Sequence, residues 1–456
     1  MSLEIVILAA GKGTRMKSDK PKVLHQLAGR PMISHVLDTA RKLEPARIAV
    51  VCGFGEEQIR SALRADDIVF VRQEEQLGTG HAVMQALPVL DPSATVLVLY
   101  GDTPLISEDS LRRLIAAAGS DSLAVLTAVT DRPAGLGRIV RDDRGSFLRI
   151  VEEKDATEEE KKIREINTGV CCGPVSLFRD HLGAVGNDNA QKEYYLVDLF
   201  AIALNNGIHV ATCEVSDERE KLGINDHAQQ ALLERIVQER QAEALMAQGV
   251  TIIDPRRFDL RGSLTCGKDV VIDINVVFEG NVKLGDNVRI GAGCVISNCE
   301  IAAGSVISPY SVLESSTMGR ENTLGPFCHL RPGCSLADRV HVGNFVEAKK
   351  SSLGEGTKAG HLTYIGDSEV GANVNFGAGT ITCNYDGANK HRTVIGNDVF
   401  IGSDTQLVAP VEIGNGSTLG AGSTITKKVG ENELVITRVP QRHIKGWNRP
   451  KKASDR

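Results

Sequence analysis

Two rules of hydrophobic spacing divide this chain. Over the first 225 or so residues, short unbroken apolar runs at 5–10, 48–52, 68–71, 95–100 and 123–129 alternate with segments of helical spacing, such as Met32, Ile33, Val36, Leu37, Ala40 and Leu43. Runs that are apolar on both faces predict strands of a parallel sheet covered by helices on both sides, a doubly wound α/β domain. Residues 227–248 then read as one long polar helix. Its apolar stripe is Leu232, Leu233, Ile236, Val237, Leu245 and Met246; Asp226 can cap its start and Gly249 can end it. These shifts predict a first domain over 1–227, a linker helix over 228–249 and a second domain over 250–456.

From Leu284 to Ile425 a six-residue rule takes over. Leu284-Gly285, Ile290-Gly291, Ile395-Gly396, Ile401-Gly402, Ile413-Gly414 and Leu419-Gly420 are members of one series. A fixed short period is the signature of a parallel β-helix. The aliphatic residue points inward, and so does the residue two before it, because strand side chains alternate. That second position is small: Ser305, Thr357, Thr405, Ser417, Ser423, and the cysteines 294, 328 and 334. The glycine that follows each aliphatic residue is expected at a corner, where unusual dihedrals are needed. Three such strands make a turn of about eighteen residues. Between Thr382 and Val394 the repeat disappears into a polar loop, Asn384-Tyr385-Asp386-Gly387-Ala388-Asn389-Lys390-His391-Arg392.

Composition changes this picture little. With 4% aromatics and 46 glycines among 456 residues, the chain suits a thin, turn-rich structure. A net charge of −6 gives no sign of nucleic-acid or membrane-surface binding. No apolar run approaches a membrane span and the start has no signal-peptide pattern, so a cytoplasmic protein is expected. Ten cysteines without a C-x-x-C point to free thiols rather than zinc or disulfides.

After the first strand stands Leu8-Ala9-Ala10-Gly11-Lys12-Gly13-Thr14-Arg15-Met16, with Pro21-Lys22 beyond it. A Gly-rich turn lets backbone N–H groups approach a phosphate, although a lone Gly-x-Gly is as readily a tight turn. The whole string is more specific and resembles the signature of the sugar-phosphate nucleotidyltransferases. Gln73 to Ala82 looks like that family's nucleobase-binding stretch, Tyr100-Gly101-Asp102 ends a strand where open sheets place ligands, and Glu152 with Glu165–Gly169 resembles the sugar-binding part. The family's reaction is attack by a sugar-1-phosphate oxygen on the α-phosphorus of a nucleoside triphosphate. The resemblance implies Asp102 and Asn225 as Mg²⁺ ligands, and Arg15 and Lys22 as partners of phosphate charge.

In the solenoid, register says which residues face out. Arg331 and Lys349 each follow an inward residue and lie three repeats apart, so they are expected to stack in adjacent coils, with no intervening carboxylate, as a phosphate site. Two solvated surface cations are the plainer alternative. His361 lies two residues after Ala359, facing out or along a corner, and suits general-base work. Ala378, Ser403 and Ala421 fall in the same column if register resumes after the loop, leaving a groove for a long thin cofactor arm.

Taken end to end, the chain resembles the bacterial family of bifunctional N-acetylglucosamine-1-phosphate uridyltransferase/glucosamine-1-phosphate acetyltransferases. The resemblance implies an α/β Rossmann-like nucleotidyltransferase domain, a linker helix and a left-handed parallel β-helix. It implies that Leu8, Ala9, Ala10, Gly11, Arg15, Lys22, Gln73, Gly78, Thr79, Tyr100, Gly101, Asp102, Gly137, Glu152, Asn167 and Asn225 bind UTP or the UDP-sugar. Arg331, Lys349, Tyr364 and Asn375 would hold glucosamine-1-phosphate. Ala378, Asn384, Tyr385, Ser403, Ala421 and Arg438 would hold acetyl-CoA. His361 would take the amine proton, with Glu347 as a candidate to orient it. A homotrimer and N-acetylglucosamine-1-phosphate as the second acceptor are also implied. The main rival is a monofunctional pyrophosphorylase with an inert solenoid; His361, the Arg331/Lys349 stack and the inserted loop weigh against it.

Overall fold

The computed structural model describes residues 2–450. The chain divides into two compact units, Met1–Val237 and Gln238–Arg456.

The first unit is built on one sheet. Its strands run in the order Val210–Glu214, Leu123–Val129, Glu165–Pro174, Thr95–Tyr100, Leu3–Ala9, Arg47–Cys52 and Ile68–Arg72. Alternate residues of each strand feed different cores. Ile5 and Ile7 pack with Leu97 and Leu99 on one face, while Val6 packs with Val96 and Val98 on the other. This two-sided burial is why the strands read as unbroken apolar runs. The all-parallel expectation fails at one place: Glu165–Pro174 pairs antiparallel with both Thr95–Tyr100 and Leu123–Val129. The chain enters it from the antiparallel pair Arg138–Arg141/Phe147–Val151, not through the crossover helix that a parallel return requires. At the other centre strand, Leu8 lies beside Tyr100, and the Gly101 N–H donates to the Leu8 carbonyl at 2.9 Å. The ends of these two strands form the floor of a cavity.

The long helix runs His227–Ala247. In the first unit its Leu233, Ile236 and Val237 pack with Met16, Leu27, Met32 and Ile224. In the second unit Ala242 and Leu245 join the solenoid core. Leu232 and Met246, expected on the apolar stripe, are exposed instead.

The second unit is a parallel β-helix that extends beyond the repeat visible in sequence. It begins at Thr251–Ile252 and reaches Leu434–Val435. Phe258–Cys266 and Val276–Leu284 pair along their whole length as nine-residue strands. They run through the position of a corner, so the six-residue punctuation is weak there. The expected inward residues are buried, and Cys294, Cys328 and Cys334 fill inward positions. The small inward hydroxyls tie the coil to itself: Thr405 and Ser417 donate to the carbonyls of Gly402 and Gly414, both at 2.6 Å.

The role expected for the corner glycines moves by two residues. Left-handed backbone falls three residues after the inward aliphatic, at Asn287, Gly293, Gly304, Asn373, Asp398 and Gly416 among others. The glycine directly after the aliphatic is needed for close approach. A Cβ on Gly343 would stand 2.0 Å from the Gly360 carbonyl oxygen, and one on Gly402 2.4 Å from the Ala421 nitrogen. Successive coils therefore touch backbone to backbone at that point.

Candidate functional sites

In the first unit a cavity of about 240 Å³ opens above the strand ends Leu3–Ala9 and Thr95–Tyr100. Leu8, Ala9, Ala10, Gly11, Lys22, Gln73, Gly78, Thr79, Tyr100 and Asp102 line it, so ten of the expected nucleotide residues share one wall. Gly13 has φ 63, and a Cβ there would stand 2.7 Å from the Lys22 Cβ; the Gly-rich turn thus folds onto Lys22. Lys22 Nζ forms an ion pair with Asp102 and donates to Asn225 Oδ1 at 2.8 Å. Arg15 Nη2 donates to the same oxygen at 2.8 Å. Two cations, a carboxylate and an amide oxygen, spread over 210 residues of sequence, meet at one point.

The surroundings of Gln73 and Glu152 are also built from backbone approaches. Gln73 is buried, and its Nε2 lies 3.2 Å from the Gly78 carbonyl and 3.0 Å from His81 Nδ1. Gly78 has φ 113, and any side chain there would strike the Tyr194 carbonyl. Tyr194 N–H donates to the Leu77 carbonyl and Gly80 N–H to the Tyr194 carbonyl, both at 2.8 Å. Glu193, just before this strap, also lines the cavity; no motif in the sequence marks it. Gly137 lies against Glu152 Oε1 and Asn167, and the Asn167 N–H donates to the Gly137 carbonyl at 2.9 Å. Burial, then Asp155 and Asp198, push the Glu152 carboxyl above its usual range. Burial likewise raises Tyr100, whose ring packs where Gly169 would otherwise carry a Cβ.

The donors fit a hard divalent cation. Asp102 and Asn225 offer oxygens to one shared positive group, Lys22 Nζ, and nothing softer is present. Among the described residues no group of three or more His, Cys, Asp or Glu is arranged for a metal. A two-oxygen set suits an ion that keeps waters and takes substrate phosphates as further ligands.

On the solenoid, Leu330 pairs with Ala348, so Arg331 and Lys349 do stack in adjacent coils. A carboxylate does intervene, however: Arg331 Nη1 donates to Glu347 Oε1 at 2.9 Å. Sequence spacing missed this pair because it is diagonal, joining residues two columns apart on neighbouring strands. The hydrogen bond found for Glu347 is to Arg331, not to His361. Lys349 is crowded by cations, since Lys390 packs against it, with Arg331 and Lys350 nearby, and together they push its ammonium below the usual lysine range. Lys390 belongs to the inserted loop, closed by a Tyr385–Lys390 bridge and by His391 Nε2 2.6 Å from Asp386 Oδ2. It is a member of this cationic cluster that spacing alone could not find, because the loop lies outside the repeat. Tyr364 adjoins this cluster, with Asn384 Nδ2 3.5 Å from its hydroxyl.

His361 pairs with Asn344 at the end of Lys358–His361 and is exposed. The ladder continues from Ala359 to Phe376, Ile401 and Leu419, which sets Ala378, Ser403 and Ala421 in the His361 column. Arg438 Nη1 donates to the Ala421 carbonyl at 2.6 Å, so the tail joins this column. Asn375 does not. It occupies the opposite end of its strand, between Lys358 and Phe400, on a different ladder from Arg331 and Lys349.

One corner is unusual. Tyr310, Phe327, Phe345 and Leu362 all have positive φ, which bulky residues rarely adopt. They stand one above another, with rings stacked at 5.4 and 5.5 Å, and all are exposed. The stack ends beside His361.

Family models agree with the two units. A MobA-like NTP transferase domain matches residues 5–183, a GMPPB C-terminal domain residues 260–351, and bacterial transferase hexapeptide repeats residues 392–427. Proteins called bifunctional protein GlmU match over 99% of this chain and 99% of their own length. Those of Burkholderia thailandensis, Paraburkholderia phymatum and Aromatoleum aromaticum are 57%, 56% and 54% identical. The chain belongs to the GlmU family of bifunctional enzymes. It therefore joins a nucleotidyltransferase to an acetyltransferase, and its solenoid is a hexapeptide β-helix of the left-handed kind. The inert-solenoid alternative falls with this membership.

Proposed function

We propose that the solenoid transfers an acetyl group from acetyl-CoA to glucosamine-1-phosphate, and that the first unit joins the resulting N-acetylglucosamine-1-phosphate to UMP from UTP, releasing pyrophosphate. The product is UDP-N-acetylglucosamine, made in the cytoplasm for peptidoglycan and lipopolysaccharide. The observation that carries this reading is the pair of separate clusters: Arg15, Lys22, Asp102 and Asn225 in one unit, and Arg331, Lys349 and Lys390, with the exposed His361, in the other.

In the first unit the nucleophile is a phosphate oxygen, already ionised, so alignment and charge neutralisation set the rate. Arg15 and Lys22 balance the negative charge of the triphosphate. Asp102 and Asn225 would hold Mg²⁺, which supplies Lewis-acid neutralisation of phosphate charge when bound. The Gly11–Gly13 turn presents backbone to phosphate, Gln73 faces the base, and Glu152 and Asn167 face the sugar.

In the second unit the amine attacks in its neutral form, because an ammonium has no lone pair, and its nitrogen must shed one proton to become the amide. His361 accepts that proton as the nitrogen bonds to the thioester carbonyl carbon. The C–S bond then breaks, and the thiolate of coenzyme A leaves with a proton returned from His361. Lys349 and Lys390, forced together without a substrate, gain from a phosphate placed between them. Ala378, Ser403 and Ala421 leave the His361 column unobstructed for the pantetheine arm, with Asn384, Tyr385 and Arg438 at its edges. His361 and Asn375 share a ladder distinct from that of Arg331 and Lys349, and the exposed aromatic stack ends at His361. Both favour a site completed by a second copy of the chain, in a homotrimer.

The test is a paired assay with glucosamine-1-phosphate, acetyl-CoA, UTP and Mg²⁺. Asp102→Ala should abolish uridylyl transfer and spare acetyl transfer; His361→Ala should do the reverse. Loss of both activities in either folded variant would refute two independent sites.

A further inference from the structure

Four side chains on the outer face of the solenoid form a square. The strand His329–Leu330, continued by Arg331, carries His329 and Arg331 outward. The strand before it carries Glu314, and the strand after it carries Glu347. By register, His329 stands opposite Glu347 and Leu330 opposite Ala348. Likewise, His329 pairs with Val312, which brings Glu314 opposite Arg331. The hydrogen bonds do not follow this register. They run diagonally, His329 Nε2 to Glu314 Oε2 at 2.8 Å and Arg331 Nη1 to Glu347 Oε1 at 2.9 Å. Glu347 thus has a second partner in register, His329, straight across the strands.

The choice matters because Glu347 occupies Arg331 on the Lys349 side. A phosphate dianion on Lys349 and Lys390 would meet that carboxylate and be repelled. Pairs this exposed contribute little to stability, so exchanging one pairing for the other is cheap. We propose that His329 is a positioning residue for the amino-sugar phosphate: it receives Glu347 when the phosphate takes Arg331. This rests on Arg331 as a phosphate ligand. The charged or titratable groups facing His329 are Glu314, Glu347 and Lys349 on the flanking strands and Arg331 on its own, with Tyr364 one strand further. A histidine is the side chain that changes charge near neutral pH, and its cationic form holds a carboxylate best.

The experiment uses the full-length enzyme and glucosamine-1-phosphate. His329→Phe should raise KM for glucosamine-1-phosphate about tenfold while kcat and the KM for acetyl-CoA stay within twofold, the pattern of a lost ground-state interaction. His329→Gln, which keeps a donor but cannot gain charge, should recover part of the loss. Arg331→Ala is the control for the underlying reading. If it leaves KM unchanged, Arg331 does not hold phosphate and the proposal falls with that reading. If Arg331→Ala raises KM but His329→Phe does not, the positioning role alone is overturned. A His329→Phe effect on kcat and both KM values together would mark simple disruption of the coil and also overturn it.

Discussion

The two sites solve the placement of charge differently. In the first unit, Arg15, Lys22, Asp102 and Asn225 are carried to one point by the short helical turns Thr14–Met16 and Lys22–Leu24, the end of the strand Thr95–Tyr100 and the approach to the long helix. Each arrives on its own element, and the cluster is complete within one chain. On the solenoid, Arg331, Lys349 and Tyr364 sit at successive steps of a single repeating surface, with the loop cation Lys390 added from outside the repeat. A wound sheet concentrates groups at a cleft. A ladder only lines them up, and here an inserted loop adds a further cation from outside the repeat.

The largest effects should come from mixing inactive chains. Co-assembled His361→Ala and Lys349→Ala subunits should regain acetyl transfer, since some boundaries would then carry both intact residues. Mixing Asp102→Ala with Arg15→Ala subunits should regain no uridylyl transfer. Activity of the mixed enzymes checks both; acetyl transfer that stays lost would make the solenoid site a single-chain one. Next in size, Lys390→Ala should raise KM for glucosamine-1-phosphate by roughly 10–100-fold, as expected for losing a charged hydrogen bond, with UTP kinetics unchanged. Gly402→Ala should then separate the units by stability. Its Cβ would stand 2.4 Å from the Ala421 nitrogen, and overpacking of this sort costs about 1–3 kcal/mol, seen as earlier melting of the solenoid alone.

The smallest effect concerns Glu152. Burial, then Asp155 and Asp198, raise its carboxyl in the folded chain. A group raised on folding stabilises below its unfolded value and loses that contribution as pH climbs through the folded one. Ionised Glu152 is therefore a burden at neutral pH. Glu152→Gln should raise the melting temperature of the first unit at pH 7, on the order of 2–4 °C for about 1 kcal/mol. The gain should vanish below the carboxylate range, while sugar-nucleotide affinity falls. No gain at pH 7 would mean that the carboxylate is compensated where it stands.

How much of this was legible in the sequence follows from the same contrast. Two-sided burial leaves unbroken apolar runs, so the strands of the first unit could be read directly. The antiparallel strand Glu165–Pro174 could not, because its direction is set by how the chain arrives rather than by its own residues. In the solenoid the period revealed the register of Arg331, Lys349 and His361. It could not reveal the Glu347 and Glu314 pairings, since long side chains cross columns and period alone fixes only Cβ positions. The corner glycines show the same limit: the pattern located them, but the reason they are glycine is a neighbouring coil that no local reading contains.

The inserted loop has a further consequence. Elsewhere the coil repeats at 17 or 18 residues, yet across the loop the Ala372 N–H reaches Asn397 Oδ1, 25 positions on, with the stack undisturbed. The frame does not count residues at its corners; it counts only what lies between them. A corner is thus a splice point, where a segment can be lengthened or exchanged without renumbering the wall behind it. The acceptor that this enzyme acetylates should be open to change by grafting at that single address.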